Sequence, residues 1–144
     1  MKNVVLALLL LVSVTACNNQ PGKKTENKDT QTTAAVATTD TSVVNVYYFH
    51  GKQRCKTCVA VGDVAKETIE KAYVGNSKVV FTEINTSEDA TKALIEKYEV
   101  TWNALIIARG SGNIEITKQA FATAVENPQS LETLIKDEVN KRLQ

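Results

Sequence analysis

Cys55-Lys56-Thr57-Cys58 follows an apolar run, Val43-Val44-Asn45-Val46-Tyr47-Tyr48-Phe49, after a gap of five residues, and leads directly into a segment with helical periodicity. A strand that delivers a C-x-x-C pair to the start of a helix is a redox or metal arrangement. The first cysteine of such a pair faces solvent at a helix N-terminus, where unpaired backbone N–H groups and the helix dipole favour thiolate over thiol. The second sulfur can attack a mixed disulfide formed at the first, or share a soft metal, which a lone cysteine does inefficiently. A purely structural disulfide is the alternative, although so short a loop removes little entropy from the unfolded chain.

The rest of the chain supplies the elements around that motif. Val43 to Phe49 is β-branched and aromatic, and as a nearly continuous apolar run it suits a strand covered on both faces. Val61, Val64, Ala65, Thr68, Ile69, Ala72 and Tyr73 recur at steps of three and four, which predicts a helix ended by Gly75-Asn76. Val79 to Ile84 reads as a second strand, and Asn85-Thr86-Ser87 offers side chains to cap a helix marked by Ala90, Ala93, Leu94 and Tyr98, with Glu88 and Asp89 in its first turn. Ala104 to Ala108 is a buried strand, Gly110 to Asn113 a turn, and Ile114 to Thr117 the return strand of a hairpin. A last helix begins at Asn127 with Pro128 in first position and carries Leu131, Leu134, Ile135, Val139 and Leu143 as its apolar stripe. The order βαβαββα predicts an α/β fold in which a mixed sheet is flanked by helices, parallel where strands alternate with helices and antiparallel at the late hairpin. Tyr47, Tyr48, Phe49 and Phe81 are expected in the core.

The N-terminal end differs in kind. Lys2 precedes an apolar stretch from Val4 to Val14, broken only by Ser13, that is too short to span a bilayer and reads as a signal peptide over residues 1–17. Val14-Thr15-Ala16-Cys17 resembles the bacterial lipobox, which implies lipidation of Cys17, a membrane anchor, and a cell-envelope location with the domain facing the periplasm or the cell surface. Residues 18–42 have no apolar periodicity and read as a polar tether, which leaves 43–144 as one domain of ordinary size. Setting Cys17 aside leaves two of the three cysteines, both in the C-x-x-C, in a compartment that permits disulfides. A net charge of +1 gives no support for nucleic-acid binding.

The element order, with C-x-x-C after the first strand, resembles the thioredoxin fold across residues 43–144. In addition, Tyr47-Tyr48-Phe49-His50, Arg54-Cys55-Lys56-Thr57-Cys58 and Glu96-Lys97-Tyr98 resemble small exported proteins of Bacteroidetes labelled nitrophenyl compound nitroreductase subunit and associated with arsenic-resistance loci. What that likeness carries over is His50 with Cys55 and Cys58 on a thioredoxin-like scaffold. The chain departs from thioredoxin in one important way. The cis-proline before the third strand is missing, since Pro21 and Pro128 are the only prolines, and Asn103 or Ala104 takes its place. A non-proline cis bond costs about 2.5–4 kcal/mol, so trans geometry is expected there, with a differently shaped substrate rim of Trp102, Asn103 and Ala104. Trp102 either lines that rim or packs beneath its loop, the second being preferred.

The resemblance implies dithiol-disulfide exchange, with Cys55 the attacking nucleophile and Cys58 the resolving thiol, on a protein thiol or disulfide partner in the envelope and without a cofactor. Arg54 and Lys56 flank Cys55, and such positive charge lowers a thiol pKa, while a basic solvated surface is the plainer account of them. His50, the only histidine, is either a strand-end imidazole satisfied locally or a third ligand beside the thiols. The latter defines the alternative function: an open site in which Cys55, Cys58 and His50 hold Zn²⁺, Cu(I) or trivalent arsenic. A redox subunit of a larger envelope complex is the remaining possibility.

Overall fold

In the computed structural model, which describes residues 41–144, the apolar run forms β1 (Val44–His50) at an interior position of a four-stranded sheet. The expected leader with Cys17, and the tether up to residue 40, lie outside the described residues. Then follow α1 (Lys56–Ala72), β2 (Val79–Asn85), a 3-10 turn at Asp89–Thr91, α2 (Lys92–Lys97), β3 (Ala104–Arg109), β4 (Gly112–Glu115), α3 (Thr117–Thr123) and α4 (Pro128–Leu143). The strand order is β2-β1-β3-β4.

Both faces of the sheet are covered, as the unbroken apolar character of β1 requires. Val44, Val46 and Tyr48 of β1 and Leu105 and Ile107 of β3 meet Val61, Ala65 and Ile69 of α1, Ala120 of α3, and Leu131, Ile135 and Val139 of α4. Tyr47, Phe49, Ala104, Ile106 and Ala108 point to the other face, where Leu94, Ile95 and Tyr98 close over them. Each fully buried aliphatic or aromatic side chain in these layers contributes about 1.5–3 kcal/mol relative to exposure.

The antiparallel part of the sheet is larger than the element order suggests. β1 and β2 pair in parallel, but β3 runs antiparallel to β1, with Phe49 opposite Ala104 and Val44 opposite Arg109. The connection through the six-residue α2 does not carry the chain back along the sheet, and β3 starts at the end where β1 and β2 finish, which is the end that carries the cysteines.

Other boundaries shift for local reasons. Asn85 Oδ1 accepts from Ser87 N–H instead of capping a helix, and the helix starts later, through the 3-10 turn. The hairpin loop is only Gly110-Ser111, with Gly110 at φ +58° as a tight two-residue connection demands, so β4 begins at Gly112. Ile116 and Thr117, expected in the strand, instead open α3, whose Ile116, Ala120 and Ala124 bury at four-residue spacing. The start of α4 is as expected: Pro128 follows Asn127, whose side chain accepts from Ser130 N–H at 3.2 Å.

Candidate active site around Cys55 and Cys58

Cys55 is the N-cap of α1, in extended conformation (φ −76°, ψ 165°), and its sulfur accepts the Cys58 backbone N–H at 3.0 Å. The cap that serine or aspartate usually provides is thus a sulfur, and one of the helix's unpaired donors is aimed at it. No acidic residue stands in the first turn to oppose negative charge there. Cys55 and Cys58 form a disulfide with Cα atoms 5.0 Å apart. The two sulfurs differ in access: Cys55 is exposed, while Cys58 is 5% exposed and faces the core side of α1.

Behind the disulfide lies a polar cluster that holds Cys58 by its backbone. Tyr48, fully buried on β1, donates its hydroxyl to Cys58 O at 2.6 Å. Burial pushes the Tyr48 phenol pKa up, although the Arg54 guanidinium pulls the other way, so the hydroxyl remains a donor at neutral pH. Arg54 stacks on the Tyr48 ring, Cζ to centroid 5.4 Å, and donates through Nη2 to Cys58 O at 3.3 Å and through Nη1 to Glu83 Oε1 at 2.6 Å. Its Nε is buried and finds no partner among the described residues. Gly62 provides the space: a Cβ there would stand 2.6 Å from Arg54 Nη2 and 2.9 Å from the Tyr48 ring.

Arg54, expected to act on Cys55 through its charge, also makes contacts that the sequence did not show. Its hydrogen bonds go to Glu83 and to the Cys58 carbonyl, and none goes to the Cys55 sulfur. Lys56 opens α1 and, like Lys52, is exposed. His50 ends β1 with Nδ1 2.8 Å from Gly51 O and Nε2 3.2 Å from the same Glu83 oxygen that Arg54 holds. Both ring nitrogens thus face oxygen acceptors. Among the described residues, no group of three or more histidine, cysteine, aspartate or glutamate side chains is arranged to hold a metal ion.

The segment before β3 forms the other wall. α2 ends in a Schellman arrangement, with Val100 N–H bonded to Ile95 O and Glu99 N–H to Glu96 O, and Glu99 adopts the left-handed conformation (φ +52°) that glycine usually fills. Val100 and Ile95 pack together on the Phe49 face of the sheet, which fixes where the next residues emerge. Trp102 is 77% exposed, so the preferred expectation that it packs beneath the loop is wrong, and its indole stands free on the surface one residue from the cluster. Asn103 turns inward, with Nδ2 3.8 Å from Cys58 Sγ, and Ala104 is buried against Phe49. There is no cis peptide bond among the described residues.

Sequence reasoning did not single out Glu83, Gly62 or the polar role of Tyr48. Glu83 had a visible signal, because it is the one charged residue inside an apolar strand that pairs beside the motif.

A C-x-x-C disulfide at the junction of a central strand and the helix that follows it, in a sheet ordered β2-β1-β3-β4 with one parallel and two antiparallel pairings, defines the scaffold. The fold is thioredoxin-like. Comparison with protein-family models and with curated proteins returns no match. Among solved structures, the zinc-bound form of human ERp44 is similar at 14% identity over 67% of this chain and 27% of that one, with a TM-score of 0.49. A malarial protein is similar at 20% identity over 66% of this chain and 96% of that one, with a TM-score of 0.45. The fold assignment rests on strand order, register and the position of the cysteines.

Proposed function

We propose that the protein is an envelope-anchored thiol-disulfide exchange protein in which Cys55 exchanges with a partner and Cys58 resolves. The observation that carries this reading is the asymmetry of the pair: an exposed Cys55 sulfur that caps a helix and receives a backbone N–H, joined to a buried Cys58. In the oxidised protein a partner thiolate attacks Cys55 Sγ, a new sulfur-sulfur bond forms, the Cys55–Cys58 bond breaks, and its electron pair goes to Cys58 Sγ. Cys58 thiolate then leaves Cys55 bound to the partner, or attacks Cys55 Sγ and expels it; a second partner thiolate completes reduction. Run backwards, the same steps oxidise a partner dithiol. Trp102, exposed and next in the chain to Asn103, which reaches Cys58, is apolar surface suited to hold the partner chain.

The lipobox-like Val14 to Cys17 supports a lipid anchor on Cys17, with the domain in the periplasm or at the cell surface. On this reading the chain is akin to the exported Bacteroidetes nitroreductase-subunit proteins that residues 47–50, 54–58 and 96–98 resemble. Two experiments test the proposal. Cys58→Ser expressed in the envelope accumulates mixed disulfides through Cys55 that dithiothreitol releases, whereas Cys55→Ser does not. Absence of such adducts, with stoichiometric Zn²⁺, Cu(I) or arsenite retained by the reduced protein, replaces exchange with ion binding. A fatty-acid analogue labels the wild type and not Cys17→Ala; an unlabelled wild type refutes the anchor.

A further inference from the structure

We propose that Asn103 is a catalytic residue whose side-chain amide stabilises negative charge on Cys58 as that sulfur leaves the disulfide. This rests on the exchange reading above and adds a role that the C-x-x-C alone does not supply. Each sulfur has its own donor. Cys55 Sγ receives the Cys58 backbone N–H at 3.0 Å, and Cys58 Sγ receives Asn103 Nδ2 at 3.8 Å. The helix N-terminus therefore serves the exposed sulfur, and the buried one depends on a side chain from another element.

Cys58 needs such a donor. A thiolate without a hydrogen-bond partner in apolar surroundings is disfavoured, because burial raises a thiol pKa. Its backbone groups cannot help: the N–H is committed to Cys55, and the carbonyl, an acceptor, takes Tyr48 and Arg54. A disulfide sulfur and a thiolate are both acceptors, so an amide N–H can remain in place through the whole bond-breaking step.

The fold delivers Asn103 to this position by register. Phe49 pairs with Ala104 across antiparallel β1 and β3, so Asn103 stands one step beyond, level with His50 and at the end where α1 begins. The Glu99 turn and the Val100–Ile95 contact fix the approach of the segment. With Trp102 outside and Ala104 inside the Phe49 cluster, Asn103 is left directed at the motif.

The test uses Asn103→Asp, which keeps the shape and replaces the N–H donor by a carboxylate oxygen, and Asn103→Leu, which removes polarity. Reduction of the oxidised protein by glutathione is followed at pH 7 by mass shift after acid quench. The Cys58 pKa is read from alkylation rates against pH in a Cys55→Ser background. A hydrogen bond to a charged group is worth about a factor of ten or more in an equilibrium or rate. Both variants are expected to slow reduction about tenfold and to raise the Cys58 pKa by about one unit, with Asp the slower. The carboxylate of the Asp variant repels a thiolate whatever Asn103 does, so Leu decides: a residue that merely fills space would leave the Leu variant at the wild-type rate. Wild-type protein reduced normally, with Leu reduced as fast and an unchanged Cys58 pKa, overturns the Asn103 assignment alone. A wild-type disulfide that neither glutathione nor dithiothreitol reduces overturns the exchange reading and this role together.

Discussion

Gly62→Ala is expected to destabilise this protein, against the rule for helix interiors. At an unhindered helical position, alanine is better than glycine by about 1 kcal/mol. In α1, however, the new Cβ would stand 2.6 Å from Arg54 Nη2 and 2.9 and 3.0 Å from two carbons of the Tyr48 ring. The guanidinium is the end of a flexible side chain and can swing away, but it then gives up its bond to Cys58 O. The ring has no such freedom, because Tyr48 is fully buried and held through its hydroxyl to Cys58 O at 2.6 Å. Overpacking of this kind costs about 1–3 kcal/mol, and a lost hydrogen bond from a charged group about 1.5 kcal/mol more. Set against the propensity gain, the expected loss is about 2 kcal/mol, or roughly 10 °C in Tm for a domain near 100 residues. The assay is thermal and urea unfolding of the oxidised protein, repeated in an Arg54→Ala background. There Gly62→Ala should cost less, because one of the two obstructing groups is gone. A Gly62→Ala variant that melts at or above the wild-type temperature would refute the argument that this glycine exists to admit Tyr48 and Arg54.

Tyr48→Phe should lower stability by about 1 kcal/mol, the usual cost of losing a buried hydrogen bond, and should leave Cys58 with the Arg54 contact alone; chemical denaturation measures it. Glu99→Gly should raise stability by about 0.5–1 kcal/mol by relieving the left-handed backbone, whereas Glu99→Val should lower it. Glu138 on α4 is bonded to Lys141 at 2.7 Å and Arg142 at 2.8 Å, with the Lys141 hydrogen bond the larger cause of a pKa held below the ordinary 4.5. A depressed folded pKa gives stability that is present above 4.5 and is lost as pH falls through the folded value, so Glu138→Gln should flatten the acid limb of a stability-pH curve below about 4.5. Site-resolved alkylation of the reduced protein should find Cys55 reacting at pH 6 well ahead of a model thiol of pKa near 8.5, and Cys58 reacting slowly; equal rates at the two would count against the asymmetry.

Periodicity made the main elements legible because one principle dominates each. β1 is apolar throughout and is buried on both faces, and Asn127-Pro128 opens α4 because a side-chain cap followed by proline suits a helix start. Where two tendencies compete, the sequence misleads. Ile114 to Thr117 alternates like a strand, yet Ile116 belongs with Ala120 and Ala124, and tertiary burial of that four-residue spacing wins. The cysteines were legible from spacing alone, and their N-cap position followed from the strand before them. The rest of the site was not, because it depends on register: Glu83 reaches Arg54 and His50 only once β2 lies beside β1, and Asn103 reaches Cys58 only once β3 runs antiparallel to it. Trp102 could not be placed from composition, since an indole is at home both in a core and on a binding surface.

The central claim is that Cys55–Cys58 is a working redox couple and not a staple, and its reduction potential decides that most directly. The oxidised protein is equilibrated in glutathione or dithiothreitol redox buffers, quenched with acid, alkylated, and the fraction reduced is read by mass. Exchange predicts a reversible two-electron transition within the range of thiol-disulfide oxidoreductases, about −270 to −120 mV. A pair that remains oxidised until below about −300 mV, as structural disulfides do, would contradict the account.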